Sequence, residues 1–354
     1  MTAALPTNAA GPNPAPAVVT ECRDATTWDT YIRRRPASAY HGFAWKGILE
    51  RAFGHRAIYL AAMRGDAIVG VLPLVEFRSR LFGRFAVSLP FLNYGGVIAD
   101  DDEAARSLAG HAVSLAREHG WRHVELRHST QRFPAWPCRR HKVAMSRRLP
   151  ADAASLMPSI DRKARNLVRK AEKAGCVVEV GGGELVTEFY RVFARNMRDL
   201  GTPVYSSRLF EEVIAGCGDQ ARVFVVRHRG QPIAASLVVG WRDEVEVPWA
   251  SSLRTHSDKA PNMLLYSAML HHAVENGRRV FHFGRSTPGE GTFQFKRQWG
   301  AEPTPLVWEY LALEGAPPDQ GPTNPKFRAA IEVWRRLPVP IATLLGPHIV
   351  RNIP

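Results

Sequence analysis

Ala57-Ile-Tyr-Leu-Ala-Ala-Met-Arg-Gly65-Asp-Ala-Ile-Val-Gly-Val-Leu-Pro-Leu-Val75 and Ala221-Arg-Val-Phe-Val-Val-Arg-His-Arg-Gly230-Gln-Pro-Ile-Ala-Ala-Ser-Leu-Val-Val239 follow one plan. Each is an apolar run, a polar turn around Arg-Gly, and a second apolar run, which is the signature of a β-hairpin. Further on, each copy has a long helical stretch that ends in Gly and leads into a short strand. The first reads His119-Gly-Trp-Arg-His-Val-Glu-Leu-Arg127 and the second Asn276-Gly-Arg-Arg-Val-Phe-His-Phe-Gly-Arg285. A repeat of this length predicts two similar α/β domains in tandem.

The 354 residues give each half enough chain for its own core. No apolar run approaches the roughly 20 residues that a membrane-spanning helix needs. Residues 1–18 are Ala- and Pro-rich, with neither a basic start nor an apolar stretch, and read as a disordered tail rather than a secretory signal. Cys22, Cys138, Cys176 and Cys217 are scattered and form no Cys-x-x-Cys pair, so zinc and redox motifs are not expected and no metal is assigned. The simplest reading is a reduced, cytoplasmic protein. The formal net charge of +14 favours polyanionic partners such as nucleic acid, an anionic membrane surface or a phosphate-bearing substrate. A genome that prefers Arg over Lys explains the global figure equally well, so local clustering carries more weight.

The first domain is read over 19–150. It holds a helical, aromatic stretch at 27–53, the first hairpin, a helix at 101–119 with acidic residues at its start, and an alternating strand at 121–127. A further strand is expected at 141–149, and Pro150 closes the domain. The second domain, 151–314, opens on a helix at 161–175. Ala164, Leu167, Val168 and Ala171 share one of its faces, and Arg162, Lys163, Arg165, Arg169, Lys170 and Lys173 take the other. Helices near 184–200 and 208–215, the second hairpin, a strand at 244–250 and a helix at 262–275 follow. Residues 315–354 begin as a Pro-rich linker and close on Trp334-Arg-Arg-Leu-Pro338 and Leu344-Leu-Gly-Pro347. Trp, Arg and Leu together suit a membrane–water interface; packing back onto the second domain is the alternative.

The chemistry gathers in a few places. The one-sided basic helix makes Arg162, Arg165, Arg169 and Lys170 candidates for holding a polyanion. In Phe281-His-Phe-Gly-Arg-Ser-Thr-Pro-Gly-Glu-Gly-Thr-Phe-Gln-Phe-Lys-Arg-Gln-Trp-Gly300, a strand, a Gly-rich loop and a short helix follow one another. Such a turn can hold an anion on backbone N–H groups, with Arg285 and Lys296 adding charge. Gly284, Ser286, Phe295 and Trp299 line the same stretch. No Walker pattern is present. Asn93 and Tyr94 in Asn93-Tyr-Gly-Gly96, Arg198 and Tyr205 in the loop after a helix, and Trp249 and Ser251 at a strand end are further pocket candidates, joined by Asn262 and Tyr266. His271-His-Ala-Val-Glu-Asn-Gly277 imitates the His-His-x-x-x-Asp-Gly signature of condensation-type acyltransferases, but Asn276 replaces the Asp and the pair falls on a helix, so His272 is read as a surface histidine.

The basic helix, Glu188-Phe-Tyr-Arg-Val-Phe-Ala-Arg-Asn-Met-Arg-Asp-Leu-Gly-Thr-Pro-Val-Tyr205, Leu89-Pro-Phe-Leu-Asn-Tyr-Gly-Gly96 and the Phe-x-Phe-Gly-Arg-Ser…Phe-Lys-x-x-Trp-Gly-Ala motif together resemble the FemAB family, and within it the branch associated with PEP-CTERM/exosortase systems of Gram-negative bacteria. The resemblance runs from about Trp28 to the C-terminus. It implies an α/β (α+β) fold of two tandem GNAT-like domains, each a mixed, mostly antiparallel sheet flanked by helices. It also implies transfer of an acyl or aminoacyl group onto an amine of a cell-envelope or exopolysaccharide precursor. The donor would be an aminoacyl-tRNA or an acyl thioester rather than a permanently bound cofactor. The acceptor would be a small molecule or a lipid-linked saccharide or peptide. The inner-membrane face is a further partner and DNA is not one. The family strand reads Phe-Asp-Phe-Gly-Arg, whereas His282 stands in the Asp position here.

An ester or thioester donor is already activated, so positioning and oxyanion stabilisation can supply the rate without a covalent nucleophile. Arg285, Lys296 and Tyr205 are the expected catalytic set. The Gln/Arg-x-x-Gly-x-Gly/Ala loop of simple acetyltransferases is not visible in either half, which disfavours acetyl-CoA as donor. The alternative is an inactive module of the same fold that binds polysaccharide precursors or the membrane face.

Overall fold

The computed structural model describes residues 15–79, 83–312 and 325–354. Most of the tail and the Pro-rich linker lie outside the described residues. The chain runs twice through one order of elements. The first pass is β1 (Val18–Glu21), α1 (Ala25–Arg33), α2 (Ala44–Phe53), β2 (Arg56–Arg64), β3 (Ala67–Ser79), β4 (Gly83–Val87), the two-residue β5 (Ile98–Ala99), α3 (Asp102–His119) and β6 (His123–His128). After β7 (Cys138–Arg139), β8 (Val143–Arg148) and the basic α4 (Arg162–Lys173), the second pass is β9 (Cys176–Gly181), α5 (Val186–Leu200), α6 (Ser207–Cys217), β10 (Ala221–His228), β11 (Gln231–Trp241), β12 (Glu244–Ser252), α7 (Pro261–Glu275) and β13 (Val280–Ser286). The chain closes with α8 (Gly291–Arg297), β14 (Glu302–Pro305), β15 (Val307–Ala312), α9 (Pro325–Arg336) and α10 (Val339–Val350).

Both hairpins form where the apolar–turn–apolar pattern puts them, β2 with β3 and β10 with β11. Each carries a register shift two residue pairs from its turn, between Ala62 and Met63 in the first and between Val226 and Arg227 in the second. The second turn places Arg229 and Gly230 at φ +50° and +77°, the left-handed pair that matches strand twist in a two-residue hairpin loop. A bulge at the same place in both copies points to duplication more strongly than the similar sequences do.

Each half builds a mixed sheet. The first has the order β1-β2-β3-β4-β6-β15-β7, with β5 on β3; the second has β14-β8-β13-β12-β11-β10-β9. The order departs from a boundary at residue 150. β8, read in the first domain, pairs with β13 and β14 in the second sheet, while β15, read in the second, pairs with β6 and β7 in the first. Each half lends the other a strand. The loan is fastened at Glu309 on β15, which is fully buried: its carboxylate accepts the backbone N–H of Phe133 at 2.7 Å and of Arg132 at 3.0 Å, and His128 Nδ1 stands 2.7 Å away.

The helices α1 and α2 meet α5 and α6 across a shared core that joins Trp28, Trp45 and Phe53 to Phe189, Phe193, Phe210 and Trp249. Burying aromatics of this size dominates the cohesion of the two halves; truncating one to Ala costs about 3–5 kcal/mol. Arg51 Nε and Glu212 Oε2 add a 2.7 Å ion pair at the rim between α2 and α6. On the far side of the second sheet, α4 presses Ala164, Val168 and Ala171 into a core with α7 and leaves Arg162, Lys163, Arg169 and Lys170 in solvent, as its periodicity predicts. α9 and α10 pack back on α5.

Candidate active site

In both sheets a pair of parallel neighbours holds together briefly and then separates. β4 and β6 pair only at Ala86–Val124 and Val87–Glu125. β12 and β13 pair from Glu244–Val280 to Glu246–His282, after which β12 continues to Ser252 and β13 to Ser286 with no pairing between them. Gly284, at φ +71°, and a register shift between His282 and Arg285 turn β13 aside at this point. The first wedge is filled by its own chain. Gly95 N and Gly96 N donate to Arg127 O at 3.1 and 2.8 Å, and a Cβ on Gly96 would stand 2.1 Å from the His128 ring. Leu89 and Phe91 hold left-handed backbone there (φ +50° and +68°), so the plug is a strained, specified turn.

The same loop reaches across to the second wedge. Asn93 Nδ2 donates to Glu246 Oε1, and Tyr94 Oη donates to Glu246 Oε2 at 2.7 Å. Asn93 lies against Gly284: a Cβ there would meet Asn93 Nδ2 at 3.6 Å and Val247 O at 3.4 Å. Tyr40, fully buried, packs its ring 5.7 Å from that of Tyr94, and its hydroxyl interacts with the same Glu246 carboxylate. Burial, and then the charge of Glu246, push both phenols well above the ordinary tyrosine value, so both remain proton donors.

A cationic group begins at Lys296, which feels the charge of this carboxylate. Lys296, on α8, is 8 % exposed and donates from Nζ to Arg285 O at 2.8 Å. Burial brings its pKa down to about 8; Arg285 pushes the same way and Glu246 opposes. Arg285 remains solvent-accessible although protein crowds it, which fits a guanidinium sitting in a cleft open to water. Its pKa is lowered by that crowding and then by Arg127, a shift that leaves it cationic. Arg127 is buried, held by Glu125 Oε1 at 2.7 Å and Leu92 O at 3.0 Å. The Trp308 ring faces both guanidinium groups, 4.3 Å from Arg127 and 5.6 Å from Arg285. Lys142 donates to Thr287 Oγ1 at 2.5 Å, and its pKa is lowered by burial and by Arg285. Like charges that depress one another mark a place where an anion is favoured.

Tyr205 joins this group. Burial raises its phenol, while Arg285 and Arg127 act in the opposite direction. His282 pairs with Glu244 Oε2 at 3.0 Å. Burial lowers its pKa, but the bond to Glu244 and the charge of Glu246 outweigh that and leave it raised. Position 282 is thus occupied by a cation-forming group tied to a carboxylate.

Of the residues expected from sequence, Asn93, Tyr94, Tyr205, Gly284, Arg285 and Lys296 come together. Ser286 is buried one step beyond, its hydroxyl without a protein partner. Ser251 accepts from Asn196 Nδ2 at 3.1 Å along the wedge wall, and Asn262 lies half-buried in the first turn of α7. Four others are packing groups. Tyr266 stacks on Phe283 and meets Phe295 and Trp299, an aromatic cluster that seats α8, while Trp249 packs edge-on against Phe210. Arg198 is turned away, its guanidinium on Leu337 O at 2.9 Å and facing Asp199. The polyanion set stands apart: Arg165 and Arg169 line a hollow of about 310 Å³ between α4 and α7 with Ser267 and His271, while Arg162 and Lys170 are exposed on the same helix. The expected backbone anion seat is weak, because α8 has only seven residues and Glu290 stands at its N-cap. Side-chain cations take its place. His272 packs edge-on against Phe224 and faces Asn276, away from this chemistry.

Sequence reading missed Glu246, Tyr40, Arg127 and Trp308. The usable signal was Glu244-Val-Glu246, two carboxylates at strand spacing within a stretch otherwise destined for the core. Trp308 carried no such signal, because its place depends on the exchanged strand.

Residues 159–297 match the family described as Acetyltransferase (GNAT) domain. No curated protein matches the chain. Among solved structures, the crystal structure of FemX superposes with a TM-score of 0.66 at 14% identity, covering 83% of this chain and 97% of that one. The C-terminal domain (DUF2156) of a putative lysylphosphatidylglycerol synthetase from Agrobacterium fabrum gives 0.55 at 14% identity, covering 82% and 92%. A tandem GNAT protein from the clavulanic acid biosynthesis pathway gives 0.55 at 13% identity, covering 85% and 100%. At these identities the likeness is one of fold. The chain has the tandem GNAT architecture, two mixed sheets flanked by helices, with a GNAT acetyltransferase domain matched in its second half.

Proposed function

We propose that this protein is an N-acyltransferase that moves an acyl or aminoacyl group from an activated ester or thioester onto an amine of an anionic cell-envelope or exopolysaccharide precursor. The observation that carries the reading is the β12–β13 wedge, where Lys296 interacts with both Glu246 and Arg285 at a strand splay inside the matched acetyltransferase domain. The FemAB-like motifs, including the exosortase-associated branch, supply the precursor class. Aminoacyl-tRNA and acyl thioester both fit as donor.

The reaction forms an amide C–N bond and breaks the donor's C–O or C–S bond. The incoming amine attacks as the free base and sheds one proton. Glu246, held by Asn93 and Tyr94, is positioned to steady the amine and accept that proton. Lys296, protonated at neutral pH with a pKa of about 8, supplies positive charge to the developing oxyanion and a proton to the leaving oxygen or sulfur. Arg285, with Arg127 and Lys142 nearby, holds the substrate phosphate or carboxylate.

The test is mass analysis of amine-bearing nucleotide-sugar and lipid-linked precursors incubated with the purified chain and pools of charged tRNA or acyl thioesters. A mass gain equal to one acyl group supports the reading. Saturable precursor binding with no gain from either donor pool contradicts it and leaves a binding module.

A further inference from the structure

Five of the large apolar side chains that stand exposed on this molecule are gathered in its last 22 residues: Val333, Ile341, Leu344, Leu345 and Ile349. Four of them belong to one face of α10. On a helix of 3.6 residues per turn, Leu344, Ile341, Leu345 and Ile349 fall within an arc of about 140°. The opposite side, Ala342, Gly346 and Val350, is buried. Gly346 lies so close to Val204 that a Cβ would stand 2.8 Å from its backbone N and O. The helix is therefore fixed by its small-residue side while its large side chains face water, the reverse of what folding alone favours.

The surroundings are cationic. Between 330 and 354 the chain holds Arg335, Arg336 and Arg351 against Glu332 alone. Arg335 is paired with Glu332 at 2.6 Å, and Arg336 is exposed. At the C-terminal end of α10 a hollow of about 1060 Å³ is lined by Arg56, Arg78, His348 and Arg351, with Glu76 as its acid. Glu76 and Arg78 neutralise one another, 3.1 Å apart, and Glu76 also accepts from Trp121 Nε1 at 3.1 Å, so Arg56 and Arg351 set the charge of the hollow. Apolar groups in the middle and arginines at both ends match an anionic bilayer, acyl chains taking the leucines and phosphates the guanidinium groups. A second copy fits poorly, because antiparallel pairing of two α10 faces would set Arg351 of one against Arg335 and Arg336 of the other. Among the described residues no helix is long and apolar enough to cross a membrane, so the contact would lie in the interface.

We propose that the exposed face of α10, with its flanking arginines, docks the protein on an anionic lipid surface. α10 rests on Val204, the neighbour of Tyr205, so the docking helix is seated on the segment that carries a residue of the site. The proposal is independent of the transfer chemistry, since the test needs no donor or acceptor.

The experiment is co-sedimentation of the full chain with vesicles of phosphatidylcholine alone or mixed equally with phosphatidylglycerol. Binding is expected to the mixed vesicles and at least about tenfold weaker to phosphatidylcholine. The pair Leu344→Ser with Leu345→Ser is expected to weaken binding by about tenfold or more while the protein stays folded with a cooperative melt, because Leu344 is 68 % and Leu345 44 % exposed. Arg336→Glu is expected to weaken binding to mixed vesicles only. Equal binding to both vesicle types, no binding to either, or full binding by the double leucine variant overturns the proposal. A change of oligomeric state in that variant, in the absence of vesicle binding, overturns it in favour of a second copy.

Discussion

Tyr94 Oη donates a 2.7 Å hydrogen bond to Glu246 Oε2 across 152 residues of chain, and with it a loop of the first half enters the wedge of the second. The carboxylate is 4 % exposed and also accepts from Asn93, so it joins the two halves as well as facing the cationic cleft. Glu246→Gln would point an amide N–H₂ at one of these donors. The expected loss is about 1–3 kcal/mol of stability, read by chemical denaturation, with a fall in transfer of about a hundredfold. Tyr94→Phe removes one donor and keeps the charge. It should cost less of both, and near-wild-type transfer by Glu246→Gln would remove the carboxylate from the chemistry.

Lys296 makes the cleft sensitive to alkali. Its folded pKa of about 8 means that its proton, present at neutral pH, is lost as pH rises through that value. The value belongs to the substrate-free protein, so kcat/KM for transfer should decline with a midpoint near 8. In Lys296→Arg the charge persists to far higher pH, so the alkaline limb should vanish even if the maximal rate drops. A limb at the same pH in the arginine variant would assign it to another group.

The exchanged strand β15 is held by one buried acid. Glu309→Ala leaves the N–H groups of Arg132 and Phe133 unanswered and removes the partner of His128. A loss of about 3 kcal/mol or more is expected, seen as a lowered melting temperature for the whole molecule, since β15 bridges both halves. For the same reason a chain cut at 150 should yield a first half that is not independently folded. A stable, cooperatively melting 1–150 fragment would contradict the strand exchange.

His282 gives a stability term of opposite pH sense to that of the buried, neutral histidines. Its folded pKa lies above the ordinary 6.5, so the pair with Glu244 stabilises fully below that value, and the contribution disappears as pH rises through the folded pKa. Glu244 is well exposed, so solvent limits the effect to about 1 kcal/mol or less. The difference in melting temperature between wild type and His282→Gln should be larger near about pH 5.5 than near about pH 9. Burial holds His41 down to about 4, and its contribution is common to both proteins and cancels.

The fold was legible wherever its cause was local. Alternation and turn chemistry placed both hairpins, and the one-sided charge of 161–175 placed α4. Arg285, Lys296, Asn93 and Tyr94 stood out because loops rich in Gly, Asn and cations have few purely structural uses. What sequence did not reveal is non-local. No property of Val307–Ala312 says that it pairs with β6, 179 residues upstream at Val307–His128. Without that pairing Trp308 cannot be placed beside Arg127, and a boundary at 150 looks natural. Tyr266, Trp249 and Trp299 were read toward the pocket because aromatic side chains near a Gly-rich loop look alike whether they line a cleft or seat a helix. Only their neighbours tell the two apart.

The central claim is that the cationic wedge between β12 and β13 carries acyl transfer to an amine. The most direct measurement compares product formation, by precursor mass gain, for wild type and Arg285→Ala at matched melting temperature. Arg285 is solvent-accessible, so the variant should fold normally. The account predicts a fall of about tenfold or more in kcat/KM, carried mainly by KM for an anionic acceptor, because the lost interaction is to substrate charge. Unchanged kcat/KM in a folded Arg285→Ala protein that still makes product would place the reaction elsewhere in the molecule.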